Sequence, residues 1–574
     1  VRKCKRRRLH STHSLGNKNM EHKLSKIFVT PNDTIKNVLA SMVANKKSDS
    51  RIPPGIALVA DANHKLLGIV TNGDIRRAFA DGITVNEPIL KAMNRKPSVI
   101  EQTERGGDLL SLIFNKIKEG KWPKDRLDKI IVVDNKRLVV DMVSFYDLVQ
   151  KSDIRFRHVA VVGLGYVGLT LGLTLADLGF KVKAFDVNKI VMDSIRRAKP
   201  HFYEQGLDRL LKDHLNKNFR LVHDFNGENN ADIYFIAVGT PLDANHKPGM
   251  HYLESAAAAI GKILKHGDTV ILRSTVPLGT TRSSVIPILE KESGMKAGED
   301  FLVAFAPERT IEGKALEELR RLPQVIGGIN RASCDLVASI FNFMSNSTIL
   351  VDTLEAAEMV KLVNNTYRDV SFAFANEVAL ISHAWGIDTK QVIEAANYGY
   401  ERSRVPMPSP GVGGYCLEKD PFILIDSAKK KGYEPLLARD ARMVSDAMID
   451  VVTHTIISFL KKEKVGVKNP KIVLLGFAFK GKPVTSDVRG STTVILTKKL
   501  QHAGYKNIHG FDAAARKEDI IVHEVKHAPK IEQGFKDADV VVVMNNHPDF
   551  ESLDIRGLLA KTKKPVLFFD TWSL

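Results

Sequence analysis

The sequence has few cysteines and no run of apolar residues long enough to cross a membrane. Its 574 residues include only Cys4, Cys334 and Cys416, and none of these forms a C-x-x-C pair. Secreted chains held by disulfides carry denser, even sets of cysteine, so free thiols in a reducing cytosol are expected. A spanning helix needs ~20 predominantly apolar residues, and no apolar segment follows the basic N-terminal residues. These absences predict a cytoplasmic protein with no secretory signal, no membrane partner and no metal site.

Acidic residues are fewer than basic ones: the chain has 66 Asp and Glu residues and 84 Lys and Arg residues, which gives a net charge of +18. Seven of the basic residues fall within residues 1–20, which contain no acidic residue. Such a segment can attract nucleic acid or anionic lipid. We interpret it instead as a basic disordered tail, because no aromatic-rich strand or recognition motif for nucleic acid accompanies it. The remaining positive excess suits polyphosphate ligands, and no specific nucleic-acid partner is expected.

An internal repeat covers residues 56–77 and 129–150. Each copy reads as an apolar strand, a polar turn, a second strand and the start of a helix, and each follows a helical stretch, near 33–46 and 106–119. A unit of this size covers its apolar sheet by packing against its twin. Three polar positions match at an offset of 73 residues: Asp61 and Asp134, Thr71 and Ser144, Asp74 and Asp147.

This pair resembles two cystathionine-β-synthase-type (CBS) repeats over residues 21–150. The resemblance implies an adenine-nucleotide site in which a hydroxyl and a carboxylate of each copy hold the ribose, at Thr71, Asp74, Ser144 and Asp147. Asp74 has an alternative role, since it can cap the helix that begins at Ile75. The second copy also carries Asp141 where the first has Gly68. Both interpretations stay open, and we expect a regulatory module whose candidate ligand is an adenine nucleotide.

A glycine-rich turn lies between an apolar strand and a helix within residues 158–187. Its glycines would let the backbone approach a pyrophosphate at the helix N-terminus, and Asp186, which ends the next strand, would hold a ribose diol. A carboxylate there repels a 2′-phosphate, which favours NAD over NADP. The turn comprises Gly163, Gly165, Tyr166, Val167 and Gly168. Alternation with helical stretches predicts a parallel, doubly wound sheet with further strands at 232–238, 269–274 and 301–305.

The loop at residues 411–420, GVGGYCLEKD, places a thiol beside a cation and a carboxylate. Lys419 and a nearby helix start are expected to lower the pKa of the Cys416 thiol toward a reactive thiolate. Asp420 could reach back as a base or as a group that orients water. The alternative is a small buried cysteine in a tight turn, which is less typical of a polar segment framed by glycines.

Polar residues interrupt the otherwise apolar helical pattern of residues 353–398. Lys361 and Asn365 are four residues apart and share one helix face, close to Glu358 and Asn364. Buried polar groups are costly unless they are used or satisfied, and a solvated stripe is the usual alternative. The sequence leaves that choice open. Two loops follow strands at the edge where α/β sheets bind ligands: 273–280 with Thr275, and 306–313 with Glu308, Arg309 and Glu312.

These motifs together resemble the UDP-glucose/GDP-mannose dehydrogenase family over residues 157–574. The signatures G-x-G-Y-V-G, S-T-V-P-x-G-T, P-E-R, K-x-x-x-N, G-V-G-G-x-C and G-F-A-F-K…D-x-R all occur. The resemblance implies an NAD-dependent homodimer or higher homo-oligomer that acts on a UDP-sugar. It implies catalytic roles for Cys416, Lys361, Asn365, Asp420, Thr275, Glu308 and Glu312. It implies NAD contacts from Gly163, Gly165, Tyr166, Val167, Gly168, Asp186, Thr240 and Thr275. Substrate contacts are implied for Glu308, Arg309, Lys361, Asn365, Arg404, Gly413, Lys480 and Arg489. Arg402 is the alternative to Arg404 as the residue that crosses a dimer interface to the substrate.

In the reaction that this resemblance implies, Cys416 captures a sugar aldehyde as a thiohemiacetal, which is oxidised to a thioester and hydrolysed, with two NAD consumed per substrate. The segment after Pro307 is similar to the branch that acts on UDP-N-acetylhexosamines, so UDP-N-acetylmannosamine or UDP-N-acetylglucosamine is expected. UDP-glucose is the alternative substrate. A nucleotide-sensing regulatory protein with an inactive dehydrogenase part is a third interpretation. Glu418 departs from the family, in which many members carry a small residue or proline beside the nucleophile.

The expected fold class is α/β, with two Rossmann-like doubly wound domains joined by a long-helix α domain and preceded by an α+β CBS pair. A chain of this length exceeds one domain of ~100–200 residues, so several units are required. We place the tail at 1–20, the CBS pair at 21–152, the NAD-binding domain at 153–350, the central helical dimerisation domain with the cysteine loop at 351–465, and the C-terminal UDP-sugar-binding domain at 466–574.

Overall fold

The structure, a computed structural model, describes residues 27–45, 55–101, 130–143, 154–224, 230–463 and 467–573. The basic tail, Cys4, Ser144 and Asp147 lie outside the described residues. Within them the chain forms two three-stranded sheets, one eight-stranded sheet and one five-stranded sheet. The mixed α/β fold class predicted from the sequence is confirmed.

The N-terminal repeats form the two three-stranded sheets. The elements are β1 (Phe28–Val29), α1 (Ile35–Asn45), β2 (Ile56–Ala60), β3 (Leu66–Thr71), α2 (Asn72–Ala80), a 3-10 turn (Ile89–Lys91), β4 (Val99–Glu101), β5 (Ile130–Val133) and β6 (Val139–Val143). Strands β2 and β3 pair antiparallel with a bulge between Val59 and Ala60, and β5 and β6 repeat this register with a bulge between Val132 and Val133. Buried apolar residues of both copies share one cluster, which confirms that the two sheets cover each other.

The eight-stranded sheet follows the repeats. Its strands are β7 (His158–Val162), β8 (Lys181–Phe185), β9 (Phe219–Leu221), β10 (Ile233–Ile236), β11 (Thr269–Leu272), β12 (Leu302–Phe305), β13 (Gln324–Gly328) and β14 (Thr348–Val351). They lie in the order β14-β13-β12-β11-β10-β7-β8-β9, and the strands from β12 to β9 are parallel as predicted.

One edge of this sheet departs from the all-parallel prediction. Strand β13 runs antiparallel to β12, and β14 is parallel to β13. The register pairs Phe305 with Gly327, so β13 starts at the edge where β12 ends. The chain between them first forms an extended loop and then a helix of only seven residues (Ala315–Arg321), so it does not cross a face of the sheet.

Helices cover both faces of the eight-stranded sheet. They are α3 (Tyr166–Asp177), α4 (Lys189–Arg196), α5 (Leu207–His214), α6 (His251–Gly261), α7 (Ile286–Ser293), α8 (Ala315–Arg321) and α9 (Arg331–Phe341), with a 3-10 turn (Ile154–Phe156) and a π-helical turn (Thr281–Val285). One apolar cluster runs from Ile100, Ile130 and Val132 of the second repeat through Ile154 into this sheet. The repeat pair and the larger domain therefore share a continuous apolar contact.

Four helices form the central part of the chain: α10 (Leu354–Trp385), α11 (Thr389–Asn397), α12 (Tyr415–Lys429) and α13 (Leu436–Glu463). Thr353 caps α10 and Gly386 ends it in the left-handed region with φ 67°. Among the described residues, α13 alone is long and apolar enough to cross a bilayer by length and hydropathy, which the sequence reading missed. It buries Ile449, Val452 and Ile456 in an apolar cluster with the C-terminal sheet.

The C-terminal sheet is five-stranded and parallel, in the order β17-β16-β15-β18-β19. Four of its strands have four residues each, and the fifth, β17, has only two residues. The elements are β15 (Ile472–Leu475), α14 (Thr492–His502), β16 (Ile508–Phe511), α15 (Lys517–Ile521), β17 (Lys526–His527), α16 (Ile531–Phe535), β18 (Val540–Val543), α17 (Pro548–Glu551), α18 (Ile555–Leu559) and β19 (Leu567–Asp570).

Candidate active site

The glycine-rich turn connects β7 to α3 and has the shape of a dinucleotide cradle. Gly163 has φ 91°, which favours glycine, and a Cβ on Gly168 would lie 1.8 Å from the Gly163 carbonyl oxygen. Gly165 caps the helix and has open space around the position of a Cβ. Asp186 follows β8 and accepts the Leu164 N–H over 2.7 Å. A glycine turn, a helix N-terminus and a nearby carboxylate together fit the pyrophosphate and ribose of NAD.

Tyr166 and Val167 occupy the first two positions of α3. The Tyr166 hydroxyl donates to the Glu204 carboxylate, and the Gly313 N–H donates to that hydroxyl over 2.8 Å. Burial, reinforced by the neighbouring Glu204, raises the Tyr166 pKa. The Tyr166 side chain thus ties the glycine turn to the loop after β12. A contact between Tyr166 and NAD stays a prediction.

A cavity of about 300 Å³ lies where the NAD-binding sheet, the central helices and the C-terminal sheet meet. The loop after β12, helix α10, the start of α12 and the chain after β15 all contribute to it. Its lining residues are Glu308, Arg309, Thr310, Ile311, Glu312, Leu322, Lys361, Asn364, Asn365, Arg368, Gly413, Gly414, Tyr415, Cys416, Leu417, Phe479 and Lys480. The cavity thus contains most of the catalytic and substrate residues predicted from the sequence.

Cys416 is the second residue of α12, directly after the glycines of its loop. Gly414 has φ 95°, and a Cβ there would lie 2.6 Å from the Phe479 ring. The Gly414 N–H donates to the Gly490 carbonyl over 3.0 Å. Glycine is therefore needed for both the backbone conformation and the close approach of the C-terminal domain. These contacts hold the thiol at the cavity wall, with its side chain exposed to the cavity.

A chain of polar contacts runs from this helix toward the cofactor cleft. Asp420 is fully buried and accepts a hydrogen bond of 2.6 Å from the Asn365 amide. Lys419 lies 3.3 Å from Asp420 and donates to the Thr240 hydroxyl over 3.1 Å. Thr240 in turn donates to the Thr275 carbonyl over 2.6 Å. Thr240 and Thr275 are therefore linked to the cysteine helix, although neither lines the cavity.

The pKa of Cys416 does not follow the sequence expectation. Burial raises it, and the carboxylates of Asp420 and Glu312 add to the increase. Lys361 and Lys419 lower it, but their effect is smaller than the cost of placing a thiolate in this enclosed position. The prediction of a depressed pKa is wrong: the sulfur is open to the cavity, but the protein atoms packed around that cavity favour the neutral thiol more strongly than the two lysines favour the thiolate.

Glu308 and Glu312 lie in the same loop but differ in charge state. Burial would raise the Glu308 pKa, but the Arg273 ion pair at 2.6 Å and the Thr310 N–H lower it overall. Glu308 is therefore ionised and anchored. Burial and nearby Asp487 raise the pKa of Glu312, so Glu312 can carry a proton near neutral pH. Glu312 is thus the better placed of the two for proton transfer.

The cations expected at the substrate fall into two groups. Lys480 lines the cavity, donates to the Glu312 carbonyl over 2.8 Å, and has its pKa lowered by burial. Arg309 also lines the cavity, and its guanidinium donates to the Pro323 carbonyl. Arg489 lies outside the lining, in a bidentate ion pair with Asp487 and 5.3 Å from the Tyr415 ring centroid. Arg404 is exposed and does not line the cavity of this single chain.

Two arginines at the site, Arg368 and Arg273, were not predicted from the sequence. Arg368 lines the cavity three residues after Asn365, and helical periodicity from Lys361 could have indicated it. Arg273 anchors Glu308 from β11, and no pattern in the sequence signals that pairing. The sequence left open whether the polar residues of α10 form a solvated stripe. Glu358 is buried, accepts the N–H groups of Gly279 and Thr281, and holds the loop that follows β11.

The CBS residues are engaged with one another. Thr71 caps α2 and accepts the Asp74 N–H, while the Asp74 carboxylate accepts the Thr71 N–H over 2.8 Å. Asp74 also pairs with Arg77. The structural role expected for Asp74 is therefore met in a different form, because the helix begins at Asn72, Thr71 is its N-cap and Asp74 completes a capping box from the third helical position. A ribose contact from these side chains stays a prediction.

Comparison with known proteins agrees with this geometry. Residues 157–345, 355–447 and 473–574 match the NAD binding, central and UDP binding domains of the UDP-glucose/GDP-mannose dehydrogenase family. Residues 22–81 match the CBS domain.

Individual relatives extend over the whole region beyond the repeats. A UDP-N-acetyl-D-mannosamine dehydrogenase from Pyrococcus horikoshii is 33% identical over 401 residues, which are 69% of this chain and 91% of that protein. An NDP-N-acetyl-D-galactosaminuronic acid dehydrogenase from Ralstonia nicotianae is 31% identical over 424 residues, covering 71% of this chain and 95% of that protein. A solved structure of the Pyrococcus horikoshii UDP-D-ManNAc dehydrogenase superposes with a TM-score of 0.65 at 29% identity, over 72% of this chain and 99% of the other.

The family resemblance is thus confirmed by three consecutive domains and by relatives covered almost end to end. The chain belongs to the UDP-glucose/GDP-mannose dehydrogenase family, as an NAD-dependent nucleotide-sugar dehydrogenase with a CBS domain at its N-terminus.

Proposed function

We propose that the chain oxidises the C6 alcohol of a UDP-N-acetylhexosamine, UDP-N-acetylmannosamine or UDP-N-acetylglucosamine, to the uronic acid for polysaccharide precursor synthesis. The observation that carries the proposal is the meeting of Cys416, Lys361 and Asn365 at one cavity, with Asp420 hydrogen-bonded behind Asn365. The two relatives described above act on N-acetylated sugars, as their names state, and this supports the choice of substrate class.

The chain's own residues supply the acyl chemistry. Cys416 adds to the C6 aldehyde: a neighbouring base takes the thiol proton and a proton is returned to the aldehyde oxygen, which gives a thiohemiacetal. Loss of a hydride from its carbon and of the hydroxyl proton to a base then gives the thioester. Lys361 and the second N–H of the Asn365 amide face the developing oxyanion; such donors each contribute ~3–4 kcal/mol. Asp420, held by Asn365, orients the water that hydrolyses the thioester. Thr275 and Glu308 remain predicted contributors from the sequence motifs.

NAD, when bound, supplies the hydride acceptor for both two-electron oxidations. Gly163, Gly165 and Gly168 would cradle its pyrophosphate, and Asp186 its adenosine ribose. The Thr240–Lys419 contact joins that cleft to the cysteine helix. Covalent capture on Cys416 retains the aldehyde while the cofactor exchanges.

A homodimer is proposed through the exposed face of α10. Tyr367, Phe374, Ile381 and Trp385 are 73%, 55%, 60% and 78% exposed, and the first three recur at seven-residue spacing on one helix face. A continuous apolar stripe of this kind marks an interaction surface. Arg404 lies on the exposed chain beyond this helix and would reach a partner's cavity. A cytoplasmic location is part of this proposal.

Regulation by an adenine nucleotide is proposed for the CBS pair. The support is the repeated register of the two copies and the shared apolar cluster that links the second copy to the NAD-binding domain. A ligand that orders the pair would thereby be coupled to the dehydrogenase.

A steady-state assay tests the main proposal. Wild-type protein is supplied with NAD and with UDP-N-acetylmannosamine, UDP-N-acetylglucosamine or UDP-glucose, and NADH and uronic acid are quantified. We expect two NADH per sugar with an N-acetylhexosamine and loss of uronic acid in Cys416→Ser. Cys334→Ala is the matched control, because that thiol is buried in α9 outside the cavity. Turnover of UDP-glucose alone, or uronic acid formation by Cys416→Ser, contradicts the proposal.

A further inference from the structure

The helix that carries Cys416 and Asp420 has a gap in its backbone hydrogen bonding. Pro421 lies inside α12 as its seventh residue. Proline has no N–H, and its ring crowds the carbonyl four residues earlier. That carbonyl belongs to Leu417, the residue directly after the nucleophile. The turn that presents the thiol therefore lacks one of the bonds that normally fix a helix.

Arg442 of α13 fills this gap from a neighbouring helix. Its Nη1 donates to the Leu417 carbonyl over 3.3 Å and to Asp369 over 2.8 Å. Its Nη2 donates to Asp446 over 2.6 Å. Arg442 is 3% exposed and Asp369 is 0% exposed. Asp369 lies on α10, one helical turn beyond Asn365, so the guanidinium bridges the two helices that carry the proposed catalytic groups.

A gain in stability does not by itself account for a buried pair of this kind. A buried ion pair is often no more stabilising than apolar residues of the same volume. Within the described part of the chain, Arg442 Nε and Asp369 Oδ2 also lack hydrogen-bond partners. What the guanidinium offers is a planar fork that serves three acceptors on three helices, which a lysine cannot do.

We propose that Arg442 is a positioning residue, which holds the first turn of α12 against α10 and so sets the place of the Cys416 thiol relative to Lys361 and Asn365. The inference rests on the proposed thioester chemistry of Cys416. Arg442 does not line the cavity, so its effect is exerted through the Leu417 backbone.

The test compares Arg442→Lys with wild type and with Arg439→Gln, a control at an exposed arginine three residues earlier on the same helix. A displaced reacting group can cost about 100-fold in rate, so we expect kcat of Arg442→Lys to fall by that order, with KM for the UDP-sugar little changed. The rate of Cys416 alkylation by iodoacetamide is measured by mass spectrometry as a function of pH. The midpoint of this pH profile should differ between Arg442→Lys and wild type. Arg439→Gln should match wild type in each readout.

Pro421→Ala provides the second arm, because it restores at position 421 the backbone N–H that can donate to the Leu417 carbonyl. The double variant Pro421→Ala/Arg442→Lys should recover part of the kcat lost by Arg442→Lys alone. Equal kcat in Arg442→Lys and wild type, or purely additive losses in the double variant, would overturn the inference. If Arg442→Lys does not fold by circular dichroism, refolding in the Pro421→Ala background supports it, and continued unfolding overturns it.

The alkylation readout separates this inference from the proposed function. Wild type that forms no NADH with any UDP-sugar contradicts the proposed function alone, since the Cys416 alkylation profile can still differ between wild type and Arg442→Lys. Normal NADH formation by wild type with identical alkylation and kcat in Arg442→Lys contradicts the positioning role alone.

Discussion

The Asn365 amide donates a 2.6 Å hydrogen bond to the Asp420 carboxylate, and this contact joins helix α10 to helix α12 beside the Cys416 thiol. The two residues are 55 positions apart in the chain. The bond leaves one Asn365 N–H for a ligand and fixes a buried carboxylate next to the nucleophile.

Asn365→Asp should remove most of the activity. The change replaces a donor with a carboxylate facing Asp420, and two like charges at this distance force one of them to bind a proton. Loss of an oxyanion donor typically costs ~100–1,000-fold in kcat. Measured kcat and KM for the UDP-sugar check this prediction. Asn342→Asp, at the exposed end of α9, provides a control of equal chemistry. Wild-type kcat in Asn365→Asp would contradict the assigned role.

Lys361→Met should move the reactivity of Cys416 to higher pH. Burial raises the Cys416 pKa and Lys361 opposes that increase, so removing the cation lets the pKa rise further. Because the thiolate is the reactive form, alkylation by iodoacetamide should slow at neutral pH and its midpoint should shift upward. Lys361→Arg, which keeps the charge, should leave the midpoint near that of wild type. A midpoint unchanged in Lys361→Met would show that Lys361 does not act on the thiol.

Glu418→Gln should stabilise the protein above neutral pH. Burial raises the pKa of Glu418 to about 7, from an ordinary value of 4.5. A carboxyl whose folded pKa exceeds its unfolded pKa binds protons better when folded, so its contribution to stability is full below pH 4.5 and is lost as pH rises to about 7. The loss amounts to roughly 1–3 kcal/mol. Thermal unfolding at pH 5 and pH 8 measures it: the Tm gain of Glu418→Gln should be confined to pH 8, and an equal gain at both values would refute the explanation.

Asp74 of the first N-terminal repeat has two possible roles, one in the capping box of α2 and one in binding a ribose, and a single variant separates them. Because the Asp74 carboxylate accepts the Thr71 N–H in the capping box of α2, Asp74→Ala should destabilise the N-terminal module by about 0.5–1.5 kcal/mol even without ligand. If Asp74 also holds a ribose, AMP or ATP should raise the Tm of wild type and lose that effect in Asp74→Ala. Asp81→Ala, at the exposed end of the same helix, is the control. Absence of any nucleotide effect on Tm or NADH formation would leave Asp74 with its structural role only.

Local patterns in the sequence determined much of this protein. The glycine turn between a strand and a helix, the offset of 73 residues between repeats and the four-residue spacing of Lys361 and Asn365 are all properties of neighbouring residues. They therefore predicted most of the elements and the family, and most of the residues named as catalytic or substrate-binding do line the cavity. Helix and strand formation depend on such short-range spacing, which the chain carries before it folds.

Only the tertiary structure decided which distant groups meet. Arg273 neutralises Glu308, and Arg442 completes the helix that Pro421 interrupts, because packing brings segments together that share no pattern in the chain. The upward shift of the Cys416 pKa has the same origin: desolvation depends on which surfaces close around the sulfur. The reversed edge strand β13 likewise follows from the path of the loop before it. Burial and long-range contacts exist only once the chain is folded, so these features could not be read from the sequence.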